Sequence, residues 1–496
     1  MPNVTWAKVP ALGVGMTYLP GLERLLGAAE DLLGFLEIEP ETLWEARKQG
    51  GMNRNPAAHS WLKTCPFPIL LHGVSSAIGG TRPLSYEHAT ELRADCQALR
   101  PAWVSEHLAF QSYLDGNRWQ PTGFFLPPVQ SEPSVQLAAA HLRQRQTSLQ
   151  LPIAFETGVS YLRKLPNELP DGVFWSEVAE QADCGILLDL HNIWTNARNG
   201  RDSVQEVLDA LPLHRVVELH IAGGEELQGY WLDAHTQLAP QEVLSIAAEL
   251  IPQLPSLRAI NLELLSEGIA HHAIQQSEIL EQLDQLRELW ELRPKSAEQA
   301  LPRSQARSQP RIMTQANLPV ARKAAELPHP EEWECSLGRL VHRREPSGLY
   351  AAGSGNELAN DPGIPLLREL IDSARRGQLV AALPLCFREL FARQEGSAAA
   401  RVERYLHACL PQASAFEEAE AFVTFASKQG WLLSAALARF DITEREVQIE
   451  ATAREIESPY NLAPLVECLR AGERPRERPK LTTTRLILEP LAHDRV

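Results

Sequence analysis

Metal-binding side chains close a series of short apolar runs in this 496-residue sequence. Nine have ligand chemistry: His72, His107, Glu156, Asp189, Asn192, His220, Asp233, His235 and Glu263. Asp233 and His235 lie two residues apart in an extended stretch, so both should point to the same side. The four carboxylates would repel one another at close range, a cost that bound cations remove. Since one metal takes roughly four to six ligands, nine predict roughly two or three ions with bridging carboxylates.

The donor types limit the choice of metal. Imidazoles mixed with carboxylates, without cysteine, favour iron, manganese or zinc over copper(I) or an iron–sulfur cluster. Glu37, Glu39 and Glu41 are weaker candidates: one could point into the same cavity, or all three could form a solvated acidic turn. We expect six other histidines to lie at the surface: His59, His88, His141, His214, His271 and His272.

The apolar runs that carry these residues predict a (β/α)₈ barrel. In such a barrel, side chains at the carboxyl ends of the strands converge on one mouth. Segments with helical periodicity lie between most of the apolar runs, for example at residues 86–99, 134–145, 204–211 and 241–251. The eight runs are residues 12–16, 35–38, 69–72, 103–107, 153–156, 185–189, 216–220 and 260–263. A doubly wound open sheet gives the same alternation, but no GxGxxG turn follows the first run.

The bulk composition excludes several classes of protein. A net charge of −16 opposes nucleic-acid binding, which depends on clustered Lys and Arg. The seven scattered cysteines show no zinc-finger spacing. No apolar stretch approaches the roughly 20 residues of a membrane span, and residues 1–10 do not resemble a signal peptide. We therefore expect a cytoplasmic protein that binds neither nucleic acid nor membranes.

The composition divides the chain into three parts. Residues 1–293 form the predicted barrel, and residues 294–335, rich in Pro, Ser, Gln, Ala and Arg, a linker. Residues 336–496 form a mostly helical domain, because apolar residues recur at three- and four-residue spacing. Its predicted elements are helices at 365–376, 379–393, 399–410, 416–428 and 432–453, and a strand at 482–488.

Six segments resemble the DUF692 proteins, the multinuclear non-haem iron-dependent oxidative enzymes that include MbnB and TglH. These segments are residues 71–80, 104–110, 154–157, 187–192, 219–224 and 233–235. The resemblance implies a barrel over about residues 10–290 in which the nine residues above bind two or three iron ions. Three places depart from the family pattern: Thr157, His191 and Trp231-Leu232.

The resemblance also implies an activity, the dioxygen-dependent oxidation of cysteine residues in a ribosomally made precursor peptide. A separate recognition partner is common in the family, so we expect the region after residue 336 to be such a partner, fused to the barrel. A dimerisation or lid domain is the alternative for this region. The alternative function is a zinc or manganese hydrolase or isomerase of the endonuclease IV or xylose isomerase type.

Overall fold

The computed structural model describes residues 6–19, 22–46, 52–294, 327–342, 358–392, 397–450, 452–475, 477 and 479–490. They form two compact units. The first comprises residues 1–43, 56–114 and 125–366, and the second residues 44–55, 115–124 and 367–496. Most of the predicted linker, residues 295–326, lies outside the described residues. The division at residues 293 and 335 stays a prediction.

The first unit contains the predicted (β/α)₈ barrel. Its eight parallel strands are β1 (Gly13–Thr17), β2 (Phe35–Ile38), β3 (Ile69–Gly73), β4 (Val104–His107), β5 (Ile153–Glu156), β6 (Gly185–Asp189), β7 (Val216–Leu227) and β8 (Ala259–Glu263). Strands that are neighbours in sequence pair in parallel, and β8 pairs with β1. The pairing of β6 with β7, which has one register shift after Ile186, completes the closed cylinder. Strands such as β6 are buried along their whole length, as expected when helices cover the barrel.

Helices alternate with the barrel strands, as the periodicity predicts. The helices of this unit are Glu23–Ala28, Pro56–Thr64, Tyr86–Leu99, Glu132–Leu149, Asp171–Ala182, Leu190–Arg198, Val204–Ala210, Gln241–Leu250, Ser266–His271, Gln276–Trp290 and Pro330–Val341. Several begin at a serine whose side chain accepts a hydrogen bond from the first turn, which satisfies a backbone donor left free by the helix start. Ser85, Ser131 and Ser203 act in this way.

An apolar layer fills the end of the barrel where the strands begin. Phe35, Trp103, Leu187 and Val217 belong to it, and Trp6 packs on its outer side. The ring centres of Trp6 and Trp103 are 6.1 Å apart. Polar residues are therefore concentrated towards the strands' carboxyl ends, where the candidate site lies.

Three antiparallel strand pairs precede the C-terminal region in the sequence. Tyr230–Gln237 pairs antiparallel with the end of β7, Trp44–Ala46 pairs with Met52–Arg54, and Phe110–Asp115 pairs with Arg118–Leu126. Short 3₁₀ turns occur at Trp6–Lys8, Pro40–Leu43, Leu213–Arg215 and Ile251–Gln253. The first of these pairs extends the barrel wall above the mouth, so it can supply further side chains to the site.

The C-terminal region is helical, as predicted. Its elements are the helices Gly363–Ala382, Pro384–Ala392, Ser397–Ala408, Ala415–Lys428, Leu432–Glu450 and Ala463–Arg470, and the paired strands Arg454–Tyr460 and Leu481–Leu488. The predicted gap between the first two helices, at residues 377–378, was wrong. The first helix runs to Ala382, and the next begins at Pro384, which has no backbone N–H to donate to the preceding turn. The strand Arg454–Tyr460 and the last helix were not predicted. Among the described residues, no helix combines the length and apolar character that crossing a membrane requires.

Candidate metal centre

The carboxyl ends of the strands and the strand after β7 bring the predicted site residues together. Eight of the nine fall into three groups whose ligand atoms lie within 4.8 Å of one another inside each group. The groups are His72, His107 and Glu156; Glu156, Asp189, His220 and Glu263; and Asp189, Asp233 and His235. Glu156 and Asp189 each belong to two groups, so the three form one continuous chain of donors.

The first group joins strands β3, β4 and β5. Nε2 of His72 lies 3.3 Å from Oε2 of Glu156, and Nδ1 of His107 contacts the same oxygen. The two imidazole rings meet edge to face, with centres 4.4 Å apart. His72 and Glu156 are almost fully buried, whereas the His107 side chain is 22% exposed. This group therefore reaches the opening of the barrel through His107.

The second group spans strands β5 to β8. Nδ1 of His220 lies 2.9 Å from Oε2 of Glu263 and 3.7 Å from Oε1 of Glu156. Asp189 completes the group from the end of β6. All four side chains are buried, so three carboxylates share a space with one imidazole. A cation at this position would balance their charge.

The third group depends on an irregular stretch of the strand that follows β7. Residues 233–236 leave the pairing register beside Gly224. His235 has a φ of +50°, in the left-handed region that costs energy for a non-glycine residue. This backbone turns its Nε2 to within 2.8 Å of Oδ1 of Asp233, and its Nδ1 lies 3.4 Å from Oε1 of Glu263. Asp233 and His235 thus lie together as predicted, but through a bulge and a left-handed His235 and not through the extended alternation on which the prediction rested.

Asn192 lies beside the second and third groups. The Asp189 side chain caps the helix Leu190–Arg198 by accepting a hydrogen bond from the Asn192 backbone N–H at 2.8 Å. The Asn192 amide donates to the carbonyl of Thr157 at 3.2 Å, and the Thr157 hydroxyl accepts from the backbone N–H of Asp189 at 3.1 Å. Thr157, a departure from the family pattern, therefore orients both candidate ligands.

Two donor atoms at the site are buried without a hydrogen-bond partner. They are Asp189 Oδ2, which belongs to the second and third groups, and Asn192 Oδ1 beside them. A buried polar atom without a partner is costly unless something else satisfies it. Metal ions are suitable partners for imidazole nitrogens and carboxyl or amide oxygens, so these residues fit a metal centre.

Without metal, protons take over part of the charge compensation. Burial would lower the pKa of His72, but a hydrogen bond and the charge of Glu156 raise it to about 10. Burial likewise opposes the charged form of Glu156, yet His107 and His72 hold its pKa well below the ordinary value. The pKa of Asp189 is raised well above normal by burial and by the charges of Asp233 and Glu156. Cations entering the site would displace such protons.

Two residues outside the nine position candidate ligands. Ser105 Oγ lies 2.8 Å from Nδ1 of His72, which leaves Nε2 directed at Glu156. Glu37, buried in β2, places Oε1 3.0 Å from Nε2 of His220. The sequence analysis named Glu37 only as a weaker candidate and did not name Ser105. The available signals were the polar Glu37 inside an apolar run and the place of Ser105 in the strand next to His72.

Glu41, one of the three weaker candidates, belongs to an ordered hydrogen-bond network and not to the solvated acidic turn that was one of the two alternatives. Glu41 accepts hydrogen bonds from the backbone N–H groups of Val74 and Ser75 and lies 2.7 Å from Nε2 of His88. Burial would raise the pKa of Glu41, but these partners, chiefly His88, lower it. The network fixes the loop that follows His72. Glu39 remains partly exposed, and burial raises its pKa to about 7.

Three histidines expected at the surface are buried, because each has a polar partner. Nε2 of His59 is 2.9 Å from Asp95, and His141 Nδ1 is 3.1 Å from the carbonyl oxygen of Ile78. His88 is the third, through its contact with Glu41. For these three the surface assignment was wrong. Their partners come from distant parts of the sequence, which local patterns do not reveal.

Comparison with known proteins identifies the family of the region that contains these residues. The family model for the RiPP precursor modification enzymes MbnB/TglH/ChrH matches residues 13–285. A UPF0276 protein of Anaeromyxobacter sp. (strain Fw109-5) is 33% identical over 236 residues, covering 46% of this chain and 82% of the relative. A UPF0276 protein of Psychromonas ingrahamii is 30% identical over 240 residues, covering 47% and 80%. The matched region contains all nine predicted ligands, and the chain belongs to the MbnB/TglH/ChrH family of RiPP precursor modification enzymes.

Proposed function

We propose that the chain uses two or three iron ions and dioxygen to oxidise cysteine residues of a ribosomally synthesised precursor peptide in the cytoplasm. The observation that carries this proposal is the continuity of the three donor groups through Glu156 and Asp189. Carboxylates shared in this way suit adjacent ions better than separate, isolated sites. The family match supplies the class of substrate, a RiPP precursor.

In this proposal the nine residues His72, His107, Glu156, Asp189, Asn192, His220, Asp233, His235 and Glu263 bind the metal. Bound iron would supply dioxygen chemistry and would favour the thiolate form of a substrate cysteine. The chain itself holds the donors in place through Ser105, Glu37 and Thr157, and leaves the sites accessible beside His107 and His235, whose side chains are 22% and 17% exposed. We assign no permanent protein nucleophile.

The test is anaerobic reconstitution of the full chain with ferrous iron, followed by a cysteine-containing precursor peptide and then oxygen. The expected result is an oxygen-dependent change in peptide mass that disappears when the cysteines are replaced by serine. The Glu156→Gln variant should show no change in the peptide. An iron-loaded wild type that leaves every candidate precursor unaltered under oxygen would contradict the proposal.

A second candidate function is a zinc or manganese hydrolase or isomerase, because histidine and carboxylate donors suit those ions as well. Metal analysis of chain purified without added metal separates the two. Iron together with a visible charge-transfer band supports the oxidative function. Colourless protein loaded with zinc, and active only with zinc, supports the alternative.

For the region after residue 366 we propose recognition of the precursor peptide. The test compares peptide binding by the full chain and by residues 1–362, a form that ends before the helix Gly363–Ala382. A cut at residue 295 would not be a fair comparison, because it removes the helix Pro330–Val341 from the first unit. In that helix Trp333 and Leu337 are buried, and the Trp333 indole donates to the Pro127 carbonyl at 2.8 Å.

Equal metal content in the two forms is the control for this comparison. A shorter form that retains its metal but loses peptide affinity supports a recognition role. Unchanged affinity and turnover would eliminate that role and leave dimerisation or a lid as the remaining interpretations.

A further inference from the structure

Two of the places where the sequence departs from the family pattern, His191 and Trp231, contact each other beside the third donor group. The Trp231 indole Nε1 donates a hydrogen bond to Nε2 of His191 at 2.9 Å. Nδ1 of His191 lies 3.1 Å from Oδ1 of Asp233. The three side chains thus form a continuous chain of contacts that ends on a candidate ligand.

The chemistry of indole fixes the direction of this chain. An indole nitrogen can only donate, so Nε2 of His191 must present its lone pair. The ring proton of a neutral imidazole then lies on Nδ1, and Nδ1 donates to the Asp233 carboxylate. Since Trp231 already occupies the Nε2 lone pair, His191 cannot offer that nitrogen to a metal ion.

The surroundings hold this geometry. His191 is completely buried, and a Cβ atom added to Gly224 would lie 2.9 Å from its Cε1 and 1.8 Å from the Leu232 carbonyl oxygen. Gly224 is therefore the residue that leaves room for the imidazole. The Asn199 side chain binds both the backbone N–H and the carbonyl of Trp231, each at 2.9 Å.

Asp233 is held from a second direction. Its backbone N–H donates to the hydroxyl of Tyr161 at 3.0 Å. With its backbone fixed by Tyr161 and Oδ1 engaged by His191, the carboxylate has little freedom to rotate. Ligand orientation of this kind is what metal sites obtain from hydrogen-bonded partners outside the ligand set.

We infer that Trp231 and His191 form a positioning pair that holds Asp233 for the ion of the third group and prevents His191 from becoming a ligand. The inference rests on the proposed metal centre and adds residues to it that the family pattern does not supply. In this arrangement, the affinity of the metal position formed by Asp189, Asp233 and His235 depends on two residues that are not themselves metal ligands.

The test measures metal binding, without turnover. Wild-type chain and variants are dialysed anaerobically against a series of fixed free ferrous ion concentrations, and bound iron per chain is determined. Trp231→Phe keeps an aromatic ring but removes the indole donor. His191→Phe removes the donor to Asp233. We expect both to weaken one iron equivalent by about 10- to 100-fold and to leave the others unchanged.

Two further variants separate positioning from general damage to the fold. Trp194→Phe changes a second indole in the same aromatic cluster, 5.2 Å from the Trp231 ring centre, and should bind iron as the wild type does. His191→Asn restores an N–H donor near the Nδ1 position and should recover most of the lost affinity. Circular dichroism of each variant verifies folding.

The outcomes distinguish this inference from the function on which it rests. Trp231→Phe with the same iron isotherm as Trp194→Phe would overturn the positioning role alone. Equal loss in His191→Phe and His191→Asn would also overturn it, since the donor would then be irrelevant. A wild type that binds no iron at any concentration overturns the proposed function, and this inference with it.

Discussion

Nε2 of His220 lies 3.0 Å from Oε1 of Glu37, on the side of the ring opposite Glu263. One nitrogen of the imidazole thus faces the donor groups, and the other faces a carboxylate buried in β2. Asn261 donates to the same Glu37 oxygen at 2.7 Å, which fixes the carboxylate in turn. The arrangement is the carboxylate–histidine pair that orients metal-binding imidazoles in many proteins.

Glu37 should therefore influence metal affinity although it belongs to none of the nine predicted ligands. We expect Glu37→Gln to weaken binding of the ion at His220 by about 10-fold, because a neutral amide orients the imidazole less strongly. The measurement is an anaerobic ferrous ion titration.

Glu218→Gln is the matched control for Glu37→Gln. Burial, together with the charge of Glu37, raises the pKa of Glu218 to about 8, so the glutamine resembles the protonated side chain present at neutral pH. Its Oε2 is bonded to the Trp103 indole at 2.7 Å. Equal affinities of the two variants would show that Glu37 has no special role.

The shared carboxylates should affect more than one ion. Glu156 belongs to two donor groups and Glu263 to one. We expect Glu156→Gln to lose about two equivalents of bound metal and Glu263→Gln about one, because a bridging carboxylate balances the charge of both neighbours. Elemental analysis after anaerobic loading measures the difference, and identical losses in the two variants would indicate separate, unbridged ions.

The barrel was predictable because its strands are short apolar runs with polar ends, and β2, β5 and β6 begin and end at the predicted residues. The same pattern predicted most of the candidate ligands, since a polar residue that closes a buried strand should face the mouth. Local sequence does not encode which distant side chain meets each ligand. For that reason the sequence did not predict the contacts that Ser105, Glu37 and Trp231 make with a candidate ligand or its partner.

In the C-terminal region the predictions were less complete, because few sequence signals there mark where one helix ends and the next begins. The strand Arg454–Tyr460 alternates buried and exposed residues only in part of its length, and its partner Leu481–Leu488 lies far along the chain. Pairing over such a separation depends on the fold, so the isolated segment gave no usable signal.

The stability of the metal-free chain should depend on pH through His72. Its pKa in the folded chain is about 10, against an ordinary value of 6.5, because the partnership with Glu156 outweighs burial. A raised histidine pKa gives a stabilisation that is complete below about pH 6.5 and lost as pH rises towards about 10. We therefore expect the thermal midpoint of chelator-treated protein to fall between pH 7 and pH 10.

The His72→Gln variant controls for other titrations, and its midpoint should fall less steeply over the same range. A wild-type midpoint that stays constant or increases over this interval would contradict the assignment. Iron-loaded protein should show a weaker dependence, because the metal replaces the proton on the imidazole.

Two helical glycines provide a test of the packing around Pro330–Val341. A Cβ added to Gly338 would lie 2.2 Å from the ring of buried Tyr113, whereas a Cβ on Gly377 would meet nothing within 4 Å. We expect Gly338→Ala to destabilise the first unit by about 1–3 kcal/mol, since the ring must move. Gly377→Ala should stabilise its own helix by about 0.5–1 kcal/mol, through reduced backbone entropy in the unfolded chain. Calorimetry of both variants gives the comparison, and a neutral or stabilising Gly338→Ala would mean that the helix does not pack against Tyr113.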